Sequence, residues 1–596
     1  MQKYLYTLVI ITFAIQFSRS QSPVEYTLNF DNAAQNEAEI SVTFRDLDMD
    51  TLRITMSRSS PGRYALHEFA KNVYSFKAYN SNGDLLEVIR PNPYDWLIPE
   101  HDGIVRIHYT LFANHADGTY SDISESHAHL NIPATLLYAP ALQQRKQHVK
   151  IKVREDLNWK VATQLQRIND SMYTAPNLHY LMDSPLEISN HQEKSFEIRA
   201  ESGKQTIRFI LHHRGSESDF DTFFNHVRNI VLEEIAVFGE APDYDYGEYT
   251  FLACYLPWVH GDGMEHRNST VLTSTRELTT PEGQRNLGTV AHEFFHAWNV
   301  ERLRPASLEP FDFNNANMSG ALWFAEGFTS YYTNLTLKRA GIYDELEYLN
   351  SITPTFNYVW NGPGREYFNP VEMSYQAPFV DAATSVDPVN RANTFISYYS
   401  YGHMLGLALD LRLRTENKSL DGFYQLLWKK YGKQEEPYTL NMLENTLKEY
   451  AGKDTGTEFF KNFISDSQMP DYKSLLNQMG IALTQPKDKP YLGVEIDKGT
   501  LTSYPVKGSP AYEAGLSKGD QIVSVDGVPS DDTFNLKSIL KDRKPGDTIQ
   551  LKVERFDREL KKTIHLKPAP DYLMNLTESP SKEQLKKRKE WLESKR

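Results

Sequence analysis

The spacing of hydrophobic positions changes three times along this chain of 596 residues. From about Val24 to about Ala200, apolar and polar residues alternate. Tyr26-Thr-Leu-Asn-Phe30, Glu39-Ile-Ser-Val-Thr-Phe44, Leu52-Arg-Ile-Thr-Met56, Val105-Arg-Ile-His-Tyr-Thr-Leu111 and Val149-Lys-Ile-Lys-Val153 all follow period two. Such alternation marks strands with one buried face. Turn clusters such as Ser81-Asn-Gly-Asp84 separate them. The pattern predicts an N-terminal β-sandwich or saddle over residues 22–202. Pro61-Gly-Arg-Tyr64 and Ser126-His-Ala-His129 can line a cleft, but turn and surface residues are the favoured reading.

Beyond about Thr206 the spacing becomes mainly helical. Phe223, Val227, Ile230, Val231, Ile235 and Val237 fit one helix face. Tyr249-Thr-Phe-Leu-Ala-Cys-Tyr255 reads as a buried strand, and Ser269-Thr-Val-Leu-Thr273 as an edge strand able to pair with an extended peptide. Leu287, Val290, Ala291, Phe294, Phe295 and Trp298 form a helical stripe. Helices are expected again over 396–411, 423–431 and 440–450, so residues 203–487 read as a mainly α domain. After Lys487-Asp-Lys-Pro490 the chain returns to short strands, one closed by an Asp526-Gly527 hairpin turn. A small β domain is expected over 488–570. Residues 571–596 read as a charged, solvated tail. The whole is a multidomain α+β protein.

The helical stripe carries the most specific chemistry. His292, Glu293 and His296 make the pattern H-E-x-x-H. Histidines four apart lie on one helix face, where both imidazoles can reach one zinc ion; the glutamate can act as general base on an activated water. Both histidines face away from the apolar stripe. Two histidines leave zinc short of a third protein ligand. Glu326 is the best candidate, the one acid in the apolar run Ala321-Leu-Trp-Phe-Ala-Glu-Gly-Phe328. A buried carboxylate is costly unless paired or metal-bound. Glu301, beside Arg302 and Arg304, reads as a surface salt bridge, and Asp312 is a weaker rival. A hydroxyl aimed at the oxyanion of peptide hydrolysis would strengthen catalysis. Tyr398, Tyr399 and Tyr401 are candidates that spacing does not rank; His403 reads equally as a core residue.

Composition narrows the setting. Net charge is −14, which argues against a nucleic-acid partner. The single cysteine, Cys254, excludes an intrachain disulfide and a cysteine-ligated zinc site; one zinc per chain is expected. A positive start at Met1-Gln-Lys3, an apolar run from Tyr4 to Phe17 and Ser18-Arg-Ser20 read as a signal peptide over residues 1–20. No later segment is apolar over the length of a membrane span. An exported protein, periplasmic or secreted, is expected.

Together these motifs resemble the glycyl aminopeptidase family of zinc metallopeptidases. The most specific pieces are His292-Glu-Phe-Phe-His-Ala-Trp-Asn-Val-Glu-Arg-Leu-Arg-Pro305 and Trp323-Phe-Ala-Glu-Gly-Phe328. The resemblance implies a β-rich N-terminal domain, a thermolysin-like catalytic domain and a C-terminal PDZ domain. It also implies peptide substrates with a free N-terminus, glycine and alanine foremost. A more distant likeness joins Gly261-Asp-Gly-Met-Glu-His266 to the Gly-x-Met-Glu-Asn motif of the alanyl aminopeptidase group. It implies that Glu265 holds the substrate's α-ammonium, with Gly263 and Met264 beside it; His266 replaces the motif's asparagine. Tyr399-Ser-Tyr-Gly402 looks like that group's Tyr-x-Lys-Gly motif, which makes Tyr399 the oxyanion donor. The tail domain resembles a PDZ of the bacterial protease kind. Its likeness implies that Leu492, Gly493 and Val494 hold a peptide C-terminus, against the alternative that the domain only packs on the catalytic one. The expected activity is an exported zinc aminopeptidase. Its rivals are an endopeptidase with the same metal site and a PDZ adaptor with a vestigial one, which the intact Glu293 disfavours.

Overall fold

The alternating segments of the N-terminal third form three sheets around one core in the computed structural model, which describes residues 21–380, 387–531 and 534–596. The expected leader at 1–20 lies outside the described residues. The largest sheet has seven strands, in the order Gln166–Asn169, Met172–Ala175, Gln147–Lys152, Val24–Asn29, Glu37–Phe44, Val105–Phe112 and Val73–Tyr79. A three-stranded sheet built on Thr51–Thr55 and a four-stranded sheet built on His127–Leu130 and Leu186–Ser189 close over it. Leu28, Ile40 and Ile107 from the first sheet, Ile54 and Trp96 from the second, and Leu130 and Ile188 from the third share that core.

The next unit is organised by a five-stranded mixed sheet, in the order Gln192–Ala200, Gly203–His213, Glu248–Tyr255, Ser269–Ser274 and Asp262–His266. The domain boundary expected at 202 therefore passes through a hairpin of this sheet. Both neighbouring units contain period-two strands, so alternation alone does not mark where one ends. The expected edge strand is also displaced. Ser269–Ser274 is buried at every position and lies between two partners; the edge is Asp262–His266. Serine and threonine gave the inner strand the look of an outer one.

Helices cover the sheet and carry the site. Glu217–Phe238 begins with a Ser216–Asp219 capping box and stops at Gly239, where φ is +84°. The motif helix spans Asn286–Phe295 and ends in turns before Trp298, shorter than its apolar stripe. Glu326 sits at the junction of Leu322–Ala325 and Gly327–Arg339. The helix Tyr398–Thr415 crosses that junction closely. A Cβ on Gly402 would lie 1.9 Å from the Trp323 carbonyl oxygen, so only glycine permits this approach.

The small C-terminal β domain has its own core, with Leu492, Ile522, Ile549, Leu551 and Val553 in it. The last residues are not a solvated tail. Leu573–Leu576 pairs antiparallel with Ile481–Thr484, and Lys582–Leu592 is a helix whose Trp591 is buried in the catalytic core. The Trp591 indole donates to the Tyr331 hydroxyl at 2.9 Å, and Arg339 donates to the Trp591 carbonyl at 3.2 Å. The charged remainder of this helix hid its two apolar anchors, Trp591 and Leu592. Among the described residues no helix is long and apolar enough to cross a membrane.

Candidate active site

His292 and His296 project from one turn of the motif helix toward Glu326. Glu326 Oε2 lies 3.5 Å from His292 Nε2 and 3.2 Å from His296 Nε2. Each imidazole is held through its other nitrogen. His296 Nδ1 is 2.5 Å from the Asn299 carbonyl, and His292 Nδ1 is 3.2 Å from the Thr333 hydroxyl. Thr333 itself donates to the Thr329 carbonyl, so its oxygen accepts from His292. In the neutral imidazoles a metal requires, both Nε2 lone pairs would then point toward Glu326. Tetrahedral zinc with bonds of about 2.0–2.1 Å separates such ligand atoms by about 3.3 Å. The three side chains fit a metal ion in spacing and in tautomer.

The surrounding charge fits as well. Glu265, Glu293 and His296 also converge, with their ligand atoms within 4.8 Å of one another. Burial pushes the Glu293 carboxyl well up, and Glu265 and Glu326 push it further. Glu265 is raised by burial, with Glu326 adding to the effect. Burial would raise Glu326 too, but His296 and His292 hold it below the usual carboxylate range. His296 rises to about 10 against its own burial, because Glu326 and Glu265 favour its cation. Three buried carboxylates against two imidazoles make a pocket that stabilises positive charge.

The edge strand Asp262–His266 runs over this pocket. Gly263 and Glu265 share its inner face, as residues two apart must. A Cβ on Gly263 would fall 2.1 Å from Glu293 Oε1. Met264 points the other way and is fully buried; its sulfur lies 2.1 Å from where a Gly62 Cβ would be. The Glu265 carboxylate lies 3.0 Å from the same point, so the Met264 sulfur stays close to it. Tyr399 is half-buried, with its ring 5.9 Å from that of His292, and burial together with the Glu326 charge keeps its hydroxyl protonated. Tyr401 is buried in the core of the same helix, away from Tyr399, and His403 is a core residue whose pKa burial lowers to about 3. Tyr398 packs with Tyr64 and Val300 behind the site.

The N-terminal unit completes the pocket. The Tyr64 hydroxyl donates to Glu326 Oε1 at 2.6 Å. Arg63 pairs with Asp262 and donates to the Thr119 hydroxyl at 2.5 Å. The Gly118 amide also donates to Asp262, at 3.0 Å. Pro61-Gly-Arg-Tyr64 is thus part of the site, not a surface turn. The signal was an arginine and a tyrosine behind a glycine, in a turn otherwise unremarkable in sequence. Asp262 was missed although it stands in the glycine-rich stretch. Glu301 pairs with Arg304 at 3.9 Å, as expected, but is largely buried, and burial and the Asp183 charge raise its pKa to about 7. His266, in place of an asparagine, bonds Asp183 at 2.9 Å. Asp312 is exposed and engaged with Asn315.

These features match one family. A model for the peptidase M61 N-terminal domain matches residues 25–190, and one for M61 glycyl aminopeptidase matches residues 285–405, across the motif helix, Glu326 and Tyr399. The chain belongs to the M61 glycyl aminopeptidase family. A PDZ-domain model matches residues 478–566 of this family member. The solved structure of an aminopeptidase N family protein from Idiomarina loihiensis shares its fold, with a TM-score of 0.84 and 24% identity over 96% of this chain and all of that one. Among curated proteins, the serine protease Do-like HtrA of Bacillus subtilis is 39% identical over 75 residues, 12% of this chain and 17% of that protein. The putative serine protease HhoA of Synechocystis is 35% identical over 77 residues, 19% of its length. The chain thus spans less than a fifth of these curated relatives.

Leu492, Gly493 and Val494 lie in the PDZ domain, apart from this pocket. Gly493 takes φ +84°, and its carbonyl accepts from the Val506 amide at 2.9 Å. The adjoining loop packs on the catalytic unit, where Asn393 donates to the Pro505 carbonyl at 3.0 Å and accepts from the Lys507 amide at 2.6 Å. Cys254 lies in a buried group with His127, Glu187 and His212, so Ser126-His-Ala-His129 is not surface either.

Proposed function

We propose that this protein is an exported zinc aminopeptidase that removes small N-terminal residues, glycine and alanine foremost, from peptides. The observation that carries the reading is the buried Glu265 carboxylate beside Glu293 and His296, on the free edge of the sheet. His292, His296 and Glu326 would hold zinc. Bound there, zinc supplies Lewis acidity toward a scissile carbonyl and lowers the pKa of water. Glu293 accepts the water's proton and passes it to the leaving amine. The Tyr399 hydroxyl donates to the carbonyl oxygen as that oxygen gains charge. Glu265 accepts the substrate's α-ammonium and so places the first peptide bond over Glu293. The edge strand can pair with the extended peptide backbone. Support for export comes from the leader pattern at residues 1–20 alone. The three N–H groups at Leu492, Gly493 and Val494 offer a place for a peptide C-terminus.

The test is hydrolysis of a panel of aminoacyl anilides and their acetylated forms, with and without chelator. Cleavage of free glycyl and alanyl substrates, lost on chelation, is expected. Equal rates on acetylated substrates would remove the ammonium role of Glu265 and point to an endopeptidase.

A further inference from the structure

A second group of potential metal ligands lies between the N-terminal and catalytic units and shares no residue with the active site. Its members come in two pairs. His127 and Glu187 stand on neighbouring strands of the four-stranded sheet. His212 and Cys254 are direct partners on two parallel strands of the five-stranded sheet. His127, Glu187 and Cys254 are at most 1% exposed. Cys254 itself packs in a buried cluster with Ala116, Leu256 and Val259.

The distances are those of a coordination shell. Glu187 Oε1 lies 3.4 Å from both His127 Nδ1 and His212 Nδ1. Cys254 Sγ lies 3.7 Å from each of the same two nitrogens. Tetrahedral zinc, with bonds of about 2.0–2.1 Å to nitrogen or oxygen and about 2.3 Å to sulfur, sets these edges at about 3.3 and about 3.5 Å. Sulfur–nitrogen contacts at such a length are weak as hydrogen bonds but normal across a metal.

The outer contacts point the same way. His127 Nε2 lies 2.8 Å from Asp122 Oδ2, so that nitrogen carries a proton and Nδ1 turns its lone pair inward. This carboxylate–imidazole arrangement is typical of metal-bound histidine. His129 bonds the far oxygen of Glu187 at 3.1 Å and the Asp117 carbonyl at 2.9 Å, which needs protons on both its nitrogens. His129 then balances Asp122, while the Cys254 thiolate and the Glu187 carboxylate balance a divalent cation.

We propose that His127, Glu187, His212 and Cys254 bind a second divalent metal, of the zinc class, that fastens the N-terminal unit to the catalytic sheet. One cysteine rules out a site of several thiolates but not this mixed set. The metal content becomes two per chain instead of one.

Cobalt(II) separates this site from the active site, because only a thiolate ligand gives an intense sulfur-to-cobalt absorption in the near ultraviolet. The full chain, produced in cobalt-supplemented minimal medium, should hold two cobalt ions by elemental analysis and show that band. The His292→Ala/His296→Ala double variant should hold one ion and keep the band. Cys254→Ala should lose the band and one ion. A cobalt-loaded wild-type chain with one ion and no thiolate band overturns the proposal, whether or not either variant folds. That outcome would leave the aminopeptidase reading intact, since peptide hydrolysis is measured separately.

Discussion

The Tyr64 hydroxyl, carried by the N-terminal unit, donates to Glu326 Oε1, whose other oxygen faces both active-site histidines. A residue far away in sequence therefore orients the third ligand. Outer partners of this kind commonly change metal affinity by about 10–100-fold. Tyr64→Phe is expected to lower zinc affinity by that order in a competition with a chromogenic chelator. Activity should return at saturating zinc.

Glu293→Gln keeps the size of the side chain and removes its basicity. The variant should bind zinc like the wild type and lose about 10²–10⁴-fold in kcat. Parallel metal analysis and steady-state kinetics check both halves.

Gly263→Ala acts on the same carboxylate from across the cleft. The new methyl would meet Glu293 Oε1 at 2.1 Å and Thr289 Cγ2 at 2.7 Å, so both side chains must give way. The chain should fold and keep its metal, with kcat reduced by about 10²-fold or more through misplacement of Glu293. An unchanged kcat would show that Glu293 is not held where the structure has it.

Trp591→Ala removes the largest anchor of the C-terminal helix. Burial of this kind contributes about 3–5 kcal/mol. The thermal midpoint of the catalytic unit should fall by several degrees, followed by tryptophan fluorescence or activity loss. Leu585→Ala on the same helix, at a position 43% exposed, should shift it little.

Glu234 gives a pH dependence of stability. Burial raises its pKa well above the usual carboxylate value, outweighing the opposite pull of the Thr336 hydroxyl and of His296. A group raised on folding contributes stability that is complete below the unfolded pKa and lost as pH climbs toward the folded one. Glu234→Gln removes that loss. Between about pH 5 and about pH 8 the urea midpoint of the variant should rise relative to the wild type, most at the alkaline end.

Much of the architecture was legible in the spacing of apolar residues, and His292, Glu293, His296 and Glu326 were legible from local pattern and from the cost of burying an acid. What escaped the sequence was contact between units. Tyr64, Arg63 and Asp262 meet only after two domains fold together, and nothing local to any of them signals the encounter. Glu301 was misjudged because adjacent arginines imply a surface, whereas burial is decided by elements distant in the chain. The Cys254 group failed to register for the opposite reason: counting cysteines tests for thiolate-rich sites and is blind to ligands contributed one from each of four strands.

The antiparallel pairing of Ile481–Thr484 with Leu573–Leu576, together with the buried Trp591, has a consequence for biogenesis. The PDZ domain is an insertion held at both ends by neighbouring strands, so it cannot swing on one linker like an appended module. The core of the helical unit lacks one wall until Trp591 has docked, so its completion waits on a segment that follows the inserted domain in the chain. A truncation within the helix Lys582–Leu592 would expose the hollow that Trp591 fills.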